Sequence, residues 1–92
     1  MIRHQQGGNG MESKRCAQLV ADAVERMRQL RLELGLSHET MAAKAGITRP
    51  AISHIESGKR KPSLAMAIKL AYALDVELSE ILKHAENARG EA

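Results

Sequence analysis

The sequence predicts an all-α protein, and three observations lead there. Its apolar residues are Leu, Ile, Val, Met and Ala, with Tyr72 the one aromatic side chain, a palette that favours helices. These residues recur at intervals of three and four, the spacing of a single helix face. Serine, threonine and glycine stand at the ends of the periodic stretches, where caps and stops belong. A chain of 92 residues holds one small domain with a modest core, and two domains would not fit.

Residues 1–15 lack apolar periodicity and carry a Gly/Asn cluster, so they read as a flexible N-terminal arm. Helix one follows from about Cys16 to Leu34, with Val20, Ala23, Val24, Met27, Leu30 and Leu34 in register and Gly35 as its stop. Arg31 sits beside that stripe, so its charge needs a buried or half-buried partner. Ser37 caps helix two, Leu36 and Met41 staple it, and Met41, Ala42 and Ala45 face inward before Gly46 ends it. Only Ile47 and Thr48 separate that stop from helix three. There Thr48 is the cap, Pro50 occupies the first turn, where its missing N–H costs nothing, and Gly58 takes the left-handed position past the end. Ile52 and Ile55 supply the inward stripe, leaving Arg49, Pro50, Ser53, His54 and Ser57 on the outer face. Two short helices across so tight a turn form a helix-turn-helix pattern, whose second helix enters the DNA major groove.

Charge is concentrated on the same stretch. Residues 44–61 carry Lys44, Arg49, Lys59, Arg60 and Lys61 against Glu56 alone, whereas residues 62–92 carry three basic side chains against five acidic ones. The net charge of +3 is small, but its placement suits a polyanion partner; a solvated basic loop is the competing reading.

From about Val24 to Leu82, two thirds of the chain, the sequence resembles the Cro/C1-type (XRE) family of bacterial and phage repressors. The matching residues are Arg31-Leu-Glu-Leu-Gly-Leu-Ser37, Met41-Ala42, Ala45-Gly-Ile-Thr48, Ile52-Ser-His-Ile-Glu-Ser-Gly-Lys-Arg-Lys-Pro62 and Ala71-Tyr-Ala-Leu-Asp-Val-Glu-Leu78. The most specific part is the Ile-Ser-x-Ile-Glu-x-Gly core. The resemblance implies a five-helix bundle of the lambda-repressor-like DNA-binding type, and the remaining sequence supports it. Ser63 caps a fourth helix from Leu64 to Leu74, Asp75-Val76 breaks it, and a fifth runs from about Leu78 to Asn87 with Leu78, Ile81, Leu82 and Ala85 on one side. The DNA-binding domain is thus expected over residues 16–87, with 88–92 a frayed tail.

The same resemblance assigns roles. It pairs Arg31 with Glu56, either as a clamp between two helices or with the guanidinium also close to a phosphate. It places base reading on Thr48, Arg49, Pro50, Ser53 and His54. Arg49 can grip guanine O6 and N7 with two hydrogen bonds or contact a phosphate, Pro50 offers apolar contact alone, and His54 donates to a base or phosphate or is simply exposed. Phosphate anchoring is expected from Ser37 and His38, where the N-terminus of helix two favours an anion, and from Lys44, Ser57, Lys59, Arg60 and Lys61. His38 stands where many members of the family carry Gln.

Between Leu64 and Leu74 only Lys69 is charged, an outer face too apolar for water. Met66, Ile68, Tyr72, Ile81 and Leu82 are therefore expected either to form a two-fold dimer seam or to close the monomer core. A dimer would set two reading helices about 34 Å apart on a near-palindromic operator. Enzymatic readings gain no support. His4, His38, His54, His84 and Cys16 lack metal-ligand spacing, no phosphate loop follows a strand, and no cofactor is implied. A lone cysteine and the lack of a signal peptide or long apolar run point to a cytoplasmic protein without membrane association. The expected function is a sequence-specific transcriptional regulator on double-stranded DNA, most simply a homodimeric repressor. A restriction-system controller or an antitoxin is the alternative within that class, and an interaction module without DNA binding is the alternative outside it. No small-molecule sensor domain is expected, which leaves room for a regulatory protein partner.

Overall fold

A computed structural model describes the backbone of residues 10–88 and the side chains of 13–88. Its described residues form five helices and no strand: α1 Gly10–Glu33, α2 His38–Ala45, α3 Arg49–Glu56, α4 Leu64–Ala73 and α5 Leu78–Ala88. The long α1 packs along α5 and against α3, α2 packs on α3 and α4, and α4 on α5. No described helix is long and apolar enough to cross a membrane.

Each helix turns a short apolar stripe toward a common centre. Ala23, Val24 and Met27 come from α1, Met41, Ala42 and Ala45 from α2, Ile52 and Ile55 from α3, Leu70, Ala71 and Ala73 from α4, and Ile81 and Ala85 from α5. Met41, Ile52 and Ile81 are the largest side chains lost to solvent. Small alanines between them let the helices approach closely, so a core without aromatic rings still packs.

Local chemistry sets the ends. The Ser37 and Ser63 hydroxyls accept from Thr40 N and Met66 N, at 3.0 and 3.1 Å, closing the first turns of α2 and α4. Gly46 takes φ 72° at the end of α2, and both its N–H and that of Ile47 return to Ala42 O. That left-handed step reverses the chain within two residues and sends it into α3. Asp75 takes the same conformation, φ 62°, between α4 and α5, which asparagine and aspartate tolerate better than other side chains.

The structure departs from expectation at both ends of α1, where Leu34, expected in its inward stripe, lies past the helix and is 54% exposed, and it decides between the stated alternatives at Ile81 and Met66. Helix one begins at Gly10, not Cys16, so residues 10–15 are helical and only 1–9 of the expected arm lie outside the described residues, as do 89–92 of the expected tail. The early turns need no apolar stripe: residues 13–18 are exposed all round, and Glu, Lys, Arg and Ala propagate a helix already nucleated downstream. Ile81, expected at a dimer seam or in the core, is 2% exposed and belongs to the core. Met66 is partly buried against that core. Both are claimed by the monomer because α5 lies across α4 and α1.

Candidate functional site

The α2–turn–α3 unit is built around one helix with two opposite faces. Thr48 sits in extended backbone and its Oγ1 accepts from Ala51 N at 3.2 Å, while Pro50 falls in the first turn of α3. Ala51, Ile52 and Ile55 are buried, and Arg49, Pro50, Ser53, His54 and Ser57 are exposed. The helix ends at Glu56, Gly58 takes φ 85° just beyond it, and Arg60 N returns to His54 O at 3.1 Å. That bond turns the basic tail back toward α3, and Arg60 and Lys61 line a groove with Ala17 and Ala21 of α1.

Three helices meet at Glu56. Arg31 Nε donates to Oε2 at 2.7 Å and its Nη2 to Oε1 at 3.0 Å, while Nη1 donates to Leu36 O at 2.7 Å. One guanidinium from the end of α1 thus holds both the end of α3 and the loop leading into α2. At 8% exposure, with one N–H of each nitrogen engaged inside the protein, Arg31 acts as a clamp between the three helices. His38 Nε2 approaches the same Oε1 at 3.0 Å, a contact that sequence spacing did not suggest. Burial pushes the Glu56 carboxyl up, but the hydrogen bonds and charges of Arg31 and His38 outweigh it and hold the group below the ordinary carboxylate value.

The outward groups are arranged around this clamp. Arg31, Ser37, His38, Glu39 and Arg49 line one open cleft, so Arg49 and the N-terminus of α2 face a shared space. Thr48 keeps its hydroxyl proton for an outside acceptor, since Oγ1 only accepts inside the protein. Ser37 is different: its hydroxyl accepts from Thr40 N and donates to Thr40 Oγ1, which leaves the backbone N–H groups to meet an anion. Ser57 Oγ donates to His54 O at 3.1 Å and in that arrangement has no proton for a phosphate. Lys44, Lys59, Arg60 and Lys61 are exposed. Among the described residues, no group of three His, Cys, Asp or Glu side chains is placed to hold a metal ion.

A second surface lies on α4. Leu64, Ile68 and Tyr72 are 71%, 51% and 81% exposed and recur every four residues, forming an inclined apolar ridge. Leu82 of α5 is also exposed. Leu64 is absent from the seam expected from sequence, although its place at the first turn of a nearly uncharged helix was the available sign.

Comparison with known proteins identifies relatives of this arrangement. The family described as Helix-turn-helix matches residues 27–81, from α1 to the first turn of α5. A helix-turn-helix-type transcriptional regulator of Bacillus subtilis, YqaE, is 37% identical over 65 residues, 71% of this chain. This chain spans 56% of the length of that relative. A regulator of the same type from Methanothermobacter thermautotrophicus is 43% identical over 51 residues, 55% of this chain and 74% of its own. Among solved structures, the restriction-modification controller protein C.AhdI of Aeromonas hydrophila is 43% identical with a TM-score of 0.64, covering 71% of this chain and 97% of that one. A point mutant of the restriction-modification controller protein C.Esp1396I is 25% identical with a TM-score of 0.70, covering 77% and 95%.

Proposed function

This chain belongs to the Cro/C1-type helix-turn-helix family of transcriptional regulators, and from that premise we propose that it is a sequence-specific reader of double-stranded DNA acting as a homodimer on a near-palindromic operator. The observation that carries the reading is α3, whose inner face and Glu56 are held by the core and Arg31 while Arg49, Pro50, Ser53 and His54 are fully presented. A rigid helix with a polar outer face is what base-edge readout requires. Arg49 reads a guanine edge, Thr48, Ser53 and His54 supply single hydrogen bonds, and Pro50 packs on a thymine methyl. Backbone N–H groups at Ser37 and His38 hold one phosphate, and Lys44, Lys59, Arg60 and Lys61 hold others and make affinity salt dependent.

The ridge of Leu64, Ile68 and Tyr72, with Leu82, is the proposed two-fold seam. Apolar side chains this exposed favour a second copy over water. Repression by operator occupancy in the cytoplasm is the simplest use. Similarity to C.AhdI across nearly all of that controller protein's length supports a controller role in a restriction system over an antitoxin role. The test is selection of duplexes from a random pool, followed by anisotropy titration at several salt concentrations. The proposal expects an enriched near-palindrome with a steep salt slope; no preference for any duplex at low salt would instead support an interaction module.

A further inference from the structure

The contact between His38 and Glu56 constrains the chemistry available to the imidazole. Glu56 accepts two N–H groups from Arg31 and its carboxyl titrates low, so it is ionised and has no proton to give. The Nε2 atom of His38, 3.0 Å from Oε1, is therefore the donor. In the neutral ring the proton then resides on Nε2, and Nδ1 carries only a lone pair. His38 also lines the cleft at the start of α2, where the proposed function places a backbone phosphate. A phosphate oxygen only accepts hydrogen bonds. Neutral His38 meets it with a lone pair, whereas the imidazolium offers Nδ1–H and keeps Nε2–H on Glu56.

Charge works in the same direction. Glu56 of α3 contacts the ring, and the charged groups that share its cleft are Arg31 from α1, Glu39 from α2 and Arg49 from α3. The two arginines and two glutamates cancel, so an arriving phosphate leaves the cleft negative unless a proton comes with it. We infer that binding of DNA takes up a proton on His38, which then bridges Glu56 of the reading helix to a backbone phosphate at the start of α2. His38 is thereby a positioning residue that ties the orientation of α3 to the register of the DNA backbone. The inference rests on the DNA-binding reading above, and linkage makes affinity rise as pH falls, approaching tenfold per pH unit where the free ring is neutral and the bound ring charged.

The experiment titrates the duplex selected from the random pool against the wild-type protein, His38→Gln and His84→Gln, the last an exposed histidine on α5, between about pH 6 and 8, with folding of each checked by circular dichroism. Glutamine can still donate to Glu56 but cannot take a proton. Wild type and His84→Gln should bind more tightly toward pH 6, and His38→Gln should bind with a nearly flat profile. Calorimetry of the wild-type protein in buffers of different ionisation enthalpy should report net proton uptake near pH 7, a readout that needs no variant. An unchanged slope in His38→Gln, or no proton uptake by the wild type, overturns the inference while leaving DNA binding intact. Absence of binding by wild type and variants at every pH overturns the DNA-binding reading and this inference with it.

Discussion

α3 and α4 are alike in construction and opposite in what they show to solvent. Both are short, both are opened by a hydroxyl cap, Thr48 and Ser63, and both bury one stripe in the same core. Outward, α3 presents Arg49, Ser53 and His54, whereas α4 presents Leu64, Ile68 and Tyr72. Core packing therefore does not dictate the outer faces. A polar, partly basic face keeps its hydration until a polyanion replaces it, and an apolar ridge is relieved only by excluding water. The difference is what the proposed function rests on, in which DNA meets α3 and a second copy meets α4.

The largest expected effect breaks the support under α3. Glu56→Ala strands the buried Arg31 charge and should lower unfolding free energy by about 3–5 kcal/mol in urea titrations, with DNA binding falling as α3 loosens. Next comes the other helix. Replacing Leu64, Ile68 and Tyr72 together by Ser removes three side chains worth roughly 1–2 kcal/mol each on burial, so sedimentation should show a monomer with its helical content kept. A triple variant that remains dimeric would remove α4 from the seam.

Arg49→Ala tests the outer face of α3 alone. It should cost about 1–3 kcal/mol of affinity for the selected duplex, with stability unchanged because the side chain is exposed. Neutralising Lys59, Arg60 and Lys61 should weaken all duplexes similarly and lower the salt slope by about 1 for each phosphate that is no longer neutralised. The smallest effect is a pH dependence of stability. The Glu56 carboxyl titrates below its ordinary value of 4.5, so the unfolded chain binds this proton more readily than the folded one. Its stabilising contribution is present above that ordinary value and is lost as pH falls through the lower folded value. Urea midpoints of wild type and Glu56→Gln should therefore differ at neutral pH and converge under acid.

Much of the fold was legible because its rules are local. Ser37, Thr48 and Ser63 cap the helices they were expected to cap, and Gly46 and Gly58 take left-handed backbone where a helix must stop. The inward residues of α2 and α3 follow from periodicity, since a helix buries the same side along its length. Less was legible where position depends on what crosses overhead. Ile81 and Leu82 are adjacent on an apolar stretch, yet one is 2% and the other 43% exposed, and only the placement of α5 against α1 and α4 separates them. The start of α1 is not legible in the sequence for the converse reason, because a helical turn exposed all round carries no apolar stripe to announce it.

By itself, then, the sequence determined the helices, their caps, the inner and outer faces of α3 and the concentration of positive charge along the chain around it. Each of these depends on residues within a few positions of one another, where backbone geometry is the same in any fold. Tertiary structure alone decided that Arg31 also donates to Leu36 O, that His38 reaches Glu56 across 18 residues, and that Leu64, Ile68 and Tyr72 stand clear of the core. Those outcomes depend on how α1, α2 and α3 converge and on which side of α4 is left uncovered, and side-chain spacing along one helix carries no record of its neighbours.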